Sequence, residues 1–158
     1  MLALVCGLLL LAGCGVRPSE VIPAGDAPKQ HATIQVMLYW LEEGRLVAQP
    51  RLVGEALDLD GAVAMLMAGP TPSELAFDLG TALPGGDFDV SVLSDGNGIE
   101  VRFETSVAGW SGLAVDQVVC TAVAAENRYG SVAAFDRYGS VLVAGDDFSF
   151  EARQCPLL

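Results

Sequence analysis

LDLDGAVAMLMAGPTPSELAFDLGTALPGG, residues 57–86, is the stretch whose reading decides the fold. Leu59, Ala62, Val63, Leu66 and Met67 recur at i, i+3, i+4, i+7 and i+8, which puts one apolar stripe on a helix. Asp58 and Asp60 stand at its start, where carboxylates cap free N–H groups and meet the positive end of the dipole. Gly69-Pro70 stops it: glycine permits a left-handed cap and proline cannot continue the ladder. Thr71-Pro72-Ser73-Glu74 then reads as a new start, with Thr71 as N-cap, Pro72 in the first position and Glu74 closing a capping box. A loop, 80–86, delivers the chain to a strand. Nothing in the stretch is a reactive group. It is architecture.

On its N-terminal side, 33–41 reads as a strand with Ile34, Val36, Leu38 and Trp40 on one face. Met37, Tyr39 and Leu41 partly cover the other, and apolar character on both faces predicts an interior strand. Glu42-Glu43-Gly44 turns the chain into a shorter strand, 45–48, after which 50–53 leads to the helix. On the C-terminal side, 88–93 and 99–103 alternate apolar and polar residues around Ser94-Asp95-Gly96-Asn97-Gly98, a hairpin with one wet face. A second helix is expected over 113–127, striped by Val115, Val118, Val119, Ala122 and Val123. Segments 131–135 and 140–143 are expected to close the domain as a hairpin over residues 136–139. Phe148 and Phe150 in the tail are expected to pack on the body. The resulting class is α+β: a small mixed sheet with two main helices packed on one face.

Three sets of residues carry a resemblance. AMLMAGPTPSE followed by LGTALPGG, the opening VMLYWLEEGRLVAQPR (36–51) with its trailing arginine, and DQVVCTAV (116–123) with a hydroxyl at Thr121 occur in order. Together they resemble the GerMN domain family of sporulation, spore-germination and lipoprotein chains, over residues 34–143 in a single copy. The resemblance implies a fold similar to the ring-building modules of secretion and sporulation assemblies. It also implies a non-enzymatic role with a link to sporulation or germination.

The N-terminus is read differently. Residues 2–12 are almost wholly apolar but fall short of the about 20 residues that span a bilayer. With Leu11-Ala12-Gly13-Cys14 after them they read as a secretory signal, 1–13, whose end resembles the bacterial lipobox. Ala12 and Gly13 are small enough to enter a peptidase, and the Cys14 thiolate would take the lipid. The alternative is an uncleaved N-terminal helix. No Lys or Arg precedes the apolar run, so a basic segment is expected upstream of Met1. Residues 14–30, with Pro18, Pro23 and Pro28, read as a tether holding the domain (31–158) on the order of 20–25 Å from a membrane. The expected location is the extracytoplasmic face of the cell membrane, by lipid anchor.

With 158 residues there is room for one domain, and 52% hydrophobic content is enough to fold it. A net charge of −12 repels nucleic acid, which is excluded as a partner. Cys6 leaves with the leader and Cys14 goes to lipid, so Cys120 and Cys155 remain. Two extracytoplasmic thiols are expected to pair, the more so since Cys120 falls off the apolar stripe, within reach of a returning tail. The alternative is two separate, partly buried thiols. Closing a loop of about 35 residues stabilises by up to roughly 4 kcal/mol in the chain-entropy treatment.

The remaining candidates read mostly as structure. His31, the sole histidine, has no positioned nucleophile near it in sequence. The turn 95–98 lacks the ligand spacing of a calcium loop, no set of zinc ligands is present, and no cofactor is implied. Asp87 with Asp89, and Asp146 with Asp147, read as solvated acids. Arg51 is expected to pair with Glu74 or Asp78, with ligand binding as a second role. Trp40 and Trp110 are expected in the core or at its rim first, and as partner contacts second. The functional expectation is a lipid-anchored binding or assembly module whose partner is an envelope protein, an envelope polymer or another copy of itself. The competing expectation is a cell-surface hydrolase using paired carboxylates on envelope glycans.

Overall fold

The computed structural model describes residues 34–95, 98–129 and 140–158, all within the unit His31–Leu158. The leader, Cys14, the tether, His31 and the segment 131–135 lie outside the described residues.

The chain begins with β1 (Ile34–Glu42) and β2 (Arg45–Val53), joined by Glu43-Gly44 and paired antiparallel from Ile34↔Val53 to Glu42↔Arg45. Both turn residues have positive φ (50° and 75°), the conformation that lets a two-residue turn match strand twist. β2 therefore runs through Pro50 to Val53 rather than ending at Ala48. Proline is tolerated there because β2 is an edge: the Ala48, Pro50 and Leu52 backbones point away from β1.

Helix α1 (Leu59–Met67) starts where expected, with the Asp58 side chain accepting from Gly61 N–H at 2.9 Å. It ends at Gly69, whose φ of +84° supplies the left-handed cap. The short helix α2 (Pro72–Leu75) carries the full capping box of Thr71 and Glu74. Its far end closes with Leu79 N–H donating to Glu74 O (3.1 Å) and Asp78 in the left-handed region, φ 60°. Asp78 is thus a cap and not the partner of Arg51.

β3 (Val90–Asp95) and β4 (Gly98–Phe103) form the expected antiparallel hairpin, shifted by two residues at its first strand. Phe88, Val90 and Val92 are half-buried while Asp89, Ser91 and Leu93 are exposed, so the wet face is real. Helix α3 (Gly112–Tyr129) follows, and β5 (Val141–Ala144) then pairs with β4, parallel, from Ile99↔Val141 to Arg102↔Ala144. A parallel neighbour reached through a helix is the usual crossover.

Among the described residues the strands form two sheets, not the single mixed sheet expected: β1-β2, and β3-β4-β5, of which the second is mixed. Helix α3 packs against both sheets and against α1, and this common core unites them. Trp40, Leu38, Leu66, Val101, Phe103, Val115, Val118 and Val119 are fully buried in it. At its rim Trp110, half-buried, lies 4.8 Å from the Phe103 ring and edge-on to Phe88 at 6.1 Å. The architecture is α+β, with the helices serving as the floor common to two sheets.

Candidate functional site

Among the described residues β1 has a strand neighbour on one side only, which corrects the reading of it as interior. Its other edge is finished by two buried side chains one helical turn apart on α3. Tyr39 N–H donates to Thr121 Oγ1 at 3.3 Å, and Gln117 Nε2 donates to Tyr39 O at 2.8 Å. Further along, Leu41 and Gly80 exchange backbone bonds of 2.8 and 2.7 Å. Positions i and i+4 share a helix face, so Gln117 and Thr121 act together as a length of missing strand. The other end of Gln117 is also occupied: Oε1 accepts from Ala82 N–H (2.8 Å) and Thr81 Oγ1 (3.2 Å). One amide thus fixes the loop 80–86 onto the edge of β1. Burial around Tyr39 pushes its phenol above the ordinary value.

A second cluster surrounds Arg51. Its Nε donates to Glu74 Oε1 (3.1 Å) and its Nη2 to Glu74 Oε2 and to Gly69 O (3.2 Å). The guanidinium lies 5.3 Å from the centre of the Trp40 ring. Glu74 Oε2 also accepts from Thr71 N–H and its hydroxyl. Burial acts to raise the Glu74 carboxyl. The hydrogen bonds from Arg51 and Thr71, together with the charge of Arg51, outweigh it and hold the group below the ordinary carboxylate range. Arg51 is engaged through both Nε and Nη2, with its side chain 16% exposed, and Trp40 is 0% exposed. The structure therefore places Arg51 and Trp40 together, but as a clamp joining β2 to the α1–α2 corner. Trp40 cannot meet a partner from inside the core, and its Nε1 is a buried polar atom without a hydrogen-bond partner. Trp110 lies apart from this cluster, in the aromatic group with Phe88 and Phe103.

Cys120 and Cys155 form a disulfide, with Cα atoms 4.7 Å apart. Cys120 is buried although it lies off the apolar stripe, because the tail that carries Cys155 folds back over that side of α3, as expected.

A concave feature among the described residues is an open cleft of about 310 Å³ on the outer face of β4 and β5. Glu100 and Arg102, which are ion-paired, lie on its floor, and Asp146, Asp147 and Phe148 on its rim. Phe148 is 43% exposed and packs on Phe150 rather than into the body. Among the described residues no group of three His, Cys, Asp or Glu could hold a metal ion, and no helix is long and apolar enough to cross a membrane.

The sequence pattern does not single out Gln117, nor, separately, the cleft on β4 and β5. A glutamine in a valine-rich helix stripe was the available signal for Gln117, since a buried amide requires partners. Thr121 was marked by its place after the apolar run, but its bond to Tyr39 joins residues 82 positions apart.

No protein-family model matches the chain, and no curated protein matches it significantly. Among solved structures it is similar to the tandem GerMN domains of the sporulation protein GerM from Bacillus subtilis. The TM-score is 0.56 at 17% sequence identity, covering 84% of this chain and 48% of that one. The chain therefore spans about half the length of that tandem protein and carries the GerMN fold.

Proposed function

We propose, for a chain with the GerMN fold, a non-enzymatic binding or assembly module, held by lipid on Cys14 at the extracytoplasmic face of the membrane. The observation that carries this reading is the internal use of its polar machinery. Arg51, Glu74, Gln117 and Thr121, the buried or half-buried groups that a site would draw on, are all committed to joining strand edges, corners and loops. The likeness to a sporulation protein supports a place in an envelope assembly, sporulation among them. The lipobox and tether support a domain presented to other envelope components. Two experiments test it. Growth with an alkyne-bearing fatty acid should label the protein, and Cys14→Ser should abolish the label; an unlabelled wild type refutes the anchor. In-cell cross-linking followed by affinity capture and mass spectrometry should recover one reproducible envelope partner or a second copy. Recovery of unrelated lipoproteins alone refutes the binding role.

One observation favours the second reading, a glycan hydrolase: Glu100, Asp146 and Asp147 border one cleft. Paired-carboxylate hydrolysis needs one acid held protonated. Glu100 is instead ion-paired with Arg102. Hydrolysis of purified envelope glycans by wild type, abolished in Asp146→Asn or Asp147→Asn, would establish it over the binding role.

A further inference from the structure

Residues 148–155 lie as a strap along the outer edge of β5. Gly145 N–H donates to Phe148 O (2.7 Å), Phe150 N–H to Val143 O (2.9 Å), and Val141 and Arg153 exchange both bonds (2.8 and 3.0 Å). Side chains add an ion pair from Arg153 to Asp116 on α3 (3.2 Å) and the stacking of Arg153 over Phe150 (5.7 Å). Cys155, bonded to Cys120, latches the strap's end to α3. The turn beneath it is fixed: Asp146 N–H donates to Thr105 O (3.2 Å), so the strap can pivot only beyond that point.

Without the latch, the strap is held by a few backbone bonds, one partly exposed ion pair and the packing of half-buried Phe150 against the core. Its departure would leave the Val141 and Val143 backbones as an open strand edge, which pairs readily with any complementary segment. One segment of matching length, register and sequence is already encoded: the strap of another copy, taken up as in domain swapping. We propose that the disulfide is an exchangeable latch, and that thiol-catalysed opening lets a second copy's strap occupy the β5 edge. The product is a pair joined through Cys120 of one copy and Cys155 of the other.

The chemistry balances without net oxidation or reduction. Cys155 is buried but flanked by the exposed Gln154 and Pro156, so fraying of the chain end uncovers it. The thiolate of a small monothiol then attacks the Cys155 sulfur; the Cys120–Cys155 bond breaks and its electron pair leaves on Cys120 as thiolate. The strap then carries a mixed disulfide on Cys155. Seated on a second copy opened by the same step, it presents that sulfur to that copy's Cys120 thiolate, which forms the new bond and expels the small thiolate. The monothiol is returned. The hypothesis is independent of the anchored binding role.

The test uses the full chain with Cys6→Ser and Cys14→Ser, which leaves Cys120 and Cys155 as its thiols. Light and ¹⁵N-labelled chains are mixed with glutathione, quenched, digested without reduction and read by mass spectrometry. Cys120–Cys155 peptides with one light and one heavy half should appear, rise with protein concentration and be absent without thiol. Purely light and purely heavy pairs at every concentration would overturn the proposal. Hydrogen exchange supplies a second readout. On reduction the Val141, Gly145, Phe150 and Arg153 amides should exchange on the order of 100-fold faster, while Leu142 and Ala144, which face β4, keep their protection. Equal acceleration of both sets would show that the strap is no separable unit, and would also overturn it.

Discussion

The side-chain amide of Gln117 donates to the carbonyl oxygen of Tyr39 at 2.8 Å, across 78 positions of sequence, with both residues buried. Its other end receives the amide of Ala82. A β-strand edge buried against a helix would normally leave orphaned backbone groups, each costly once removed from water. Here one helix supplies both a donor and an acceptor, and the strand is finished without another strand.

Gln117→Leu removes that donor and acceptor at nearly constant volume. Tyr39 O is left buried and unpaired, at about 1–3 kcal/mol, and the half-buried Ala82 N–H loses its partner at a smaller cost. Urea unfolding should show a loss of about 2–4 kcal/mol, against less than about 1 kcal/mol for the exposed control Glu104→Gln. A Gln117→Leu variant as stable as wild type would mean that the amide is not the joint between loop and strand.

The Arg51–Glu74 pair makes a pH-dependent contribution. Glu74 titrates below its ordinary value of 4.5 in the folded state. The stability it adds is therefore fully present above the unfolded value and lost as pH falls through the folded one. Glu74→Gln should be less stable than wild type at pH 7, with the gap narrowing below about pH 4.5 as the wild-type carboxyl protonates. Arg51→Ala should cost about 2 kcal/mol at pH 7, since it strips charge-assisted bonds from Glu74. Chemical denaturation of the three proteins from pH 7 to pH 3 checks both statements. A gap that widens towards acid would contradict the assignment.

What could be read in the sequence was local. The stop at Gly69-Pro70, the Thr71–Glu74 box and the Asp58 cap are decided within a few residues, and each is where the pattern put it. For Arg51 the sequence offers Glu74 or Asp78, since both lie at the same corner, and the pair forms with Glu74. The misses are long-range. Apolar residues on both faces of β1 suggest two strand neighbours, but burial is equally produced by a helix laid along an edge. The parallel pairing of β5 with β4 has no local signature, and neither has the division into two sheets.

Pro50 keeps an edge closed. The β1 edge is finished by α3, the β5 edge by the strap, and on the β3 edge Asp60 accepts from Val92 N–H. β2 has no such cover among the described residues, and beside Pro50 its Leu52 is 63% exposed. Proline removes one donor from that edge and so obstructs strand addition. Pro50→Val restores the donor and raises strand propensity. Sedimentation velocity should then show concentration-dependent association beyond that of wild type, with the monomer's stability changed by less than about 1 kcal/mol. An unchanged distribution would show that the edge is protected by something other than Pro50.

Gly145 is required by space rather than by backbone conformation. A Cβ there would lie 2.2 Å from Thr105 O and 2.9 Å from Val107 N, both backbone atoms that cannot rotate away. That close approach lets the chain leave β5, form the turn closed by Gly145 N–H and Phe148 O, and start the strap. Gly145→Ala must push the loop carrying Thr105 and Val107 outward, and Val107 is fully buried. Overpacking of this kind costs about 1–3 kcal/mol. Thermal unfolding of the oxidised protein should therefore drop, whereas Gly109→Ala, with nothing within 4 Å of its Cβ, should not lower it by a comparable amount. Hydrogen exchange locates the damage: the amides of Gly145, Asp146 and Phe150 should lose protection in Gly145→Ala before those of β1 do. Equal loss throughout the domain would place the cost in the core, away from the turn.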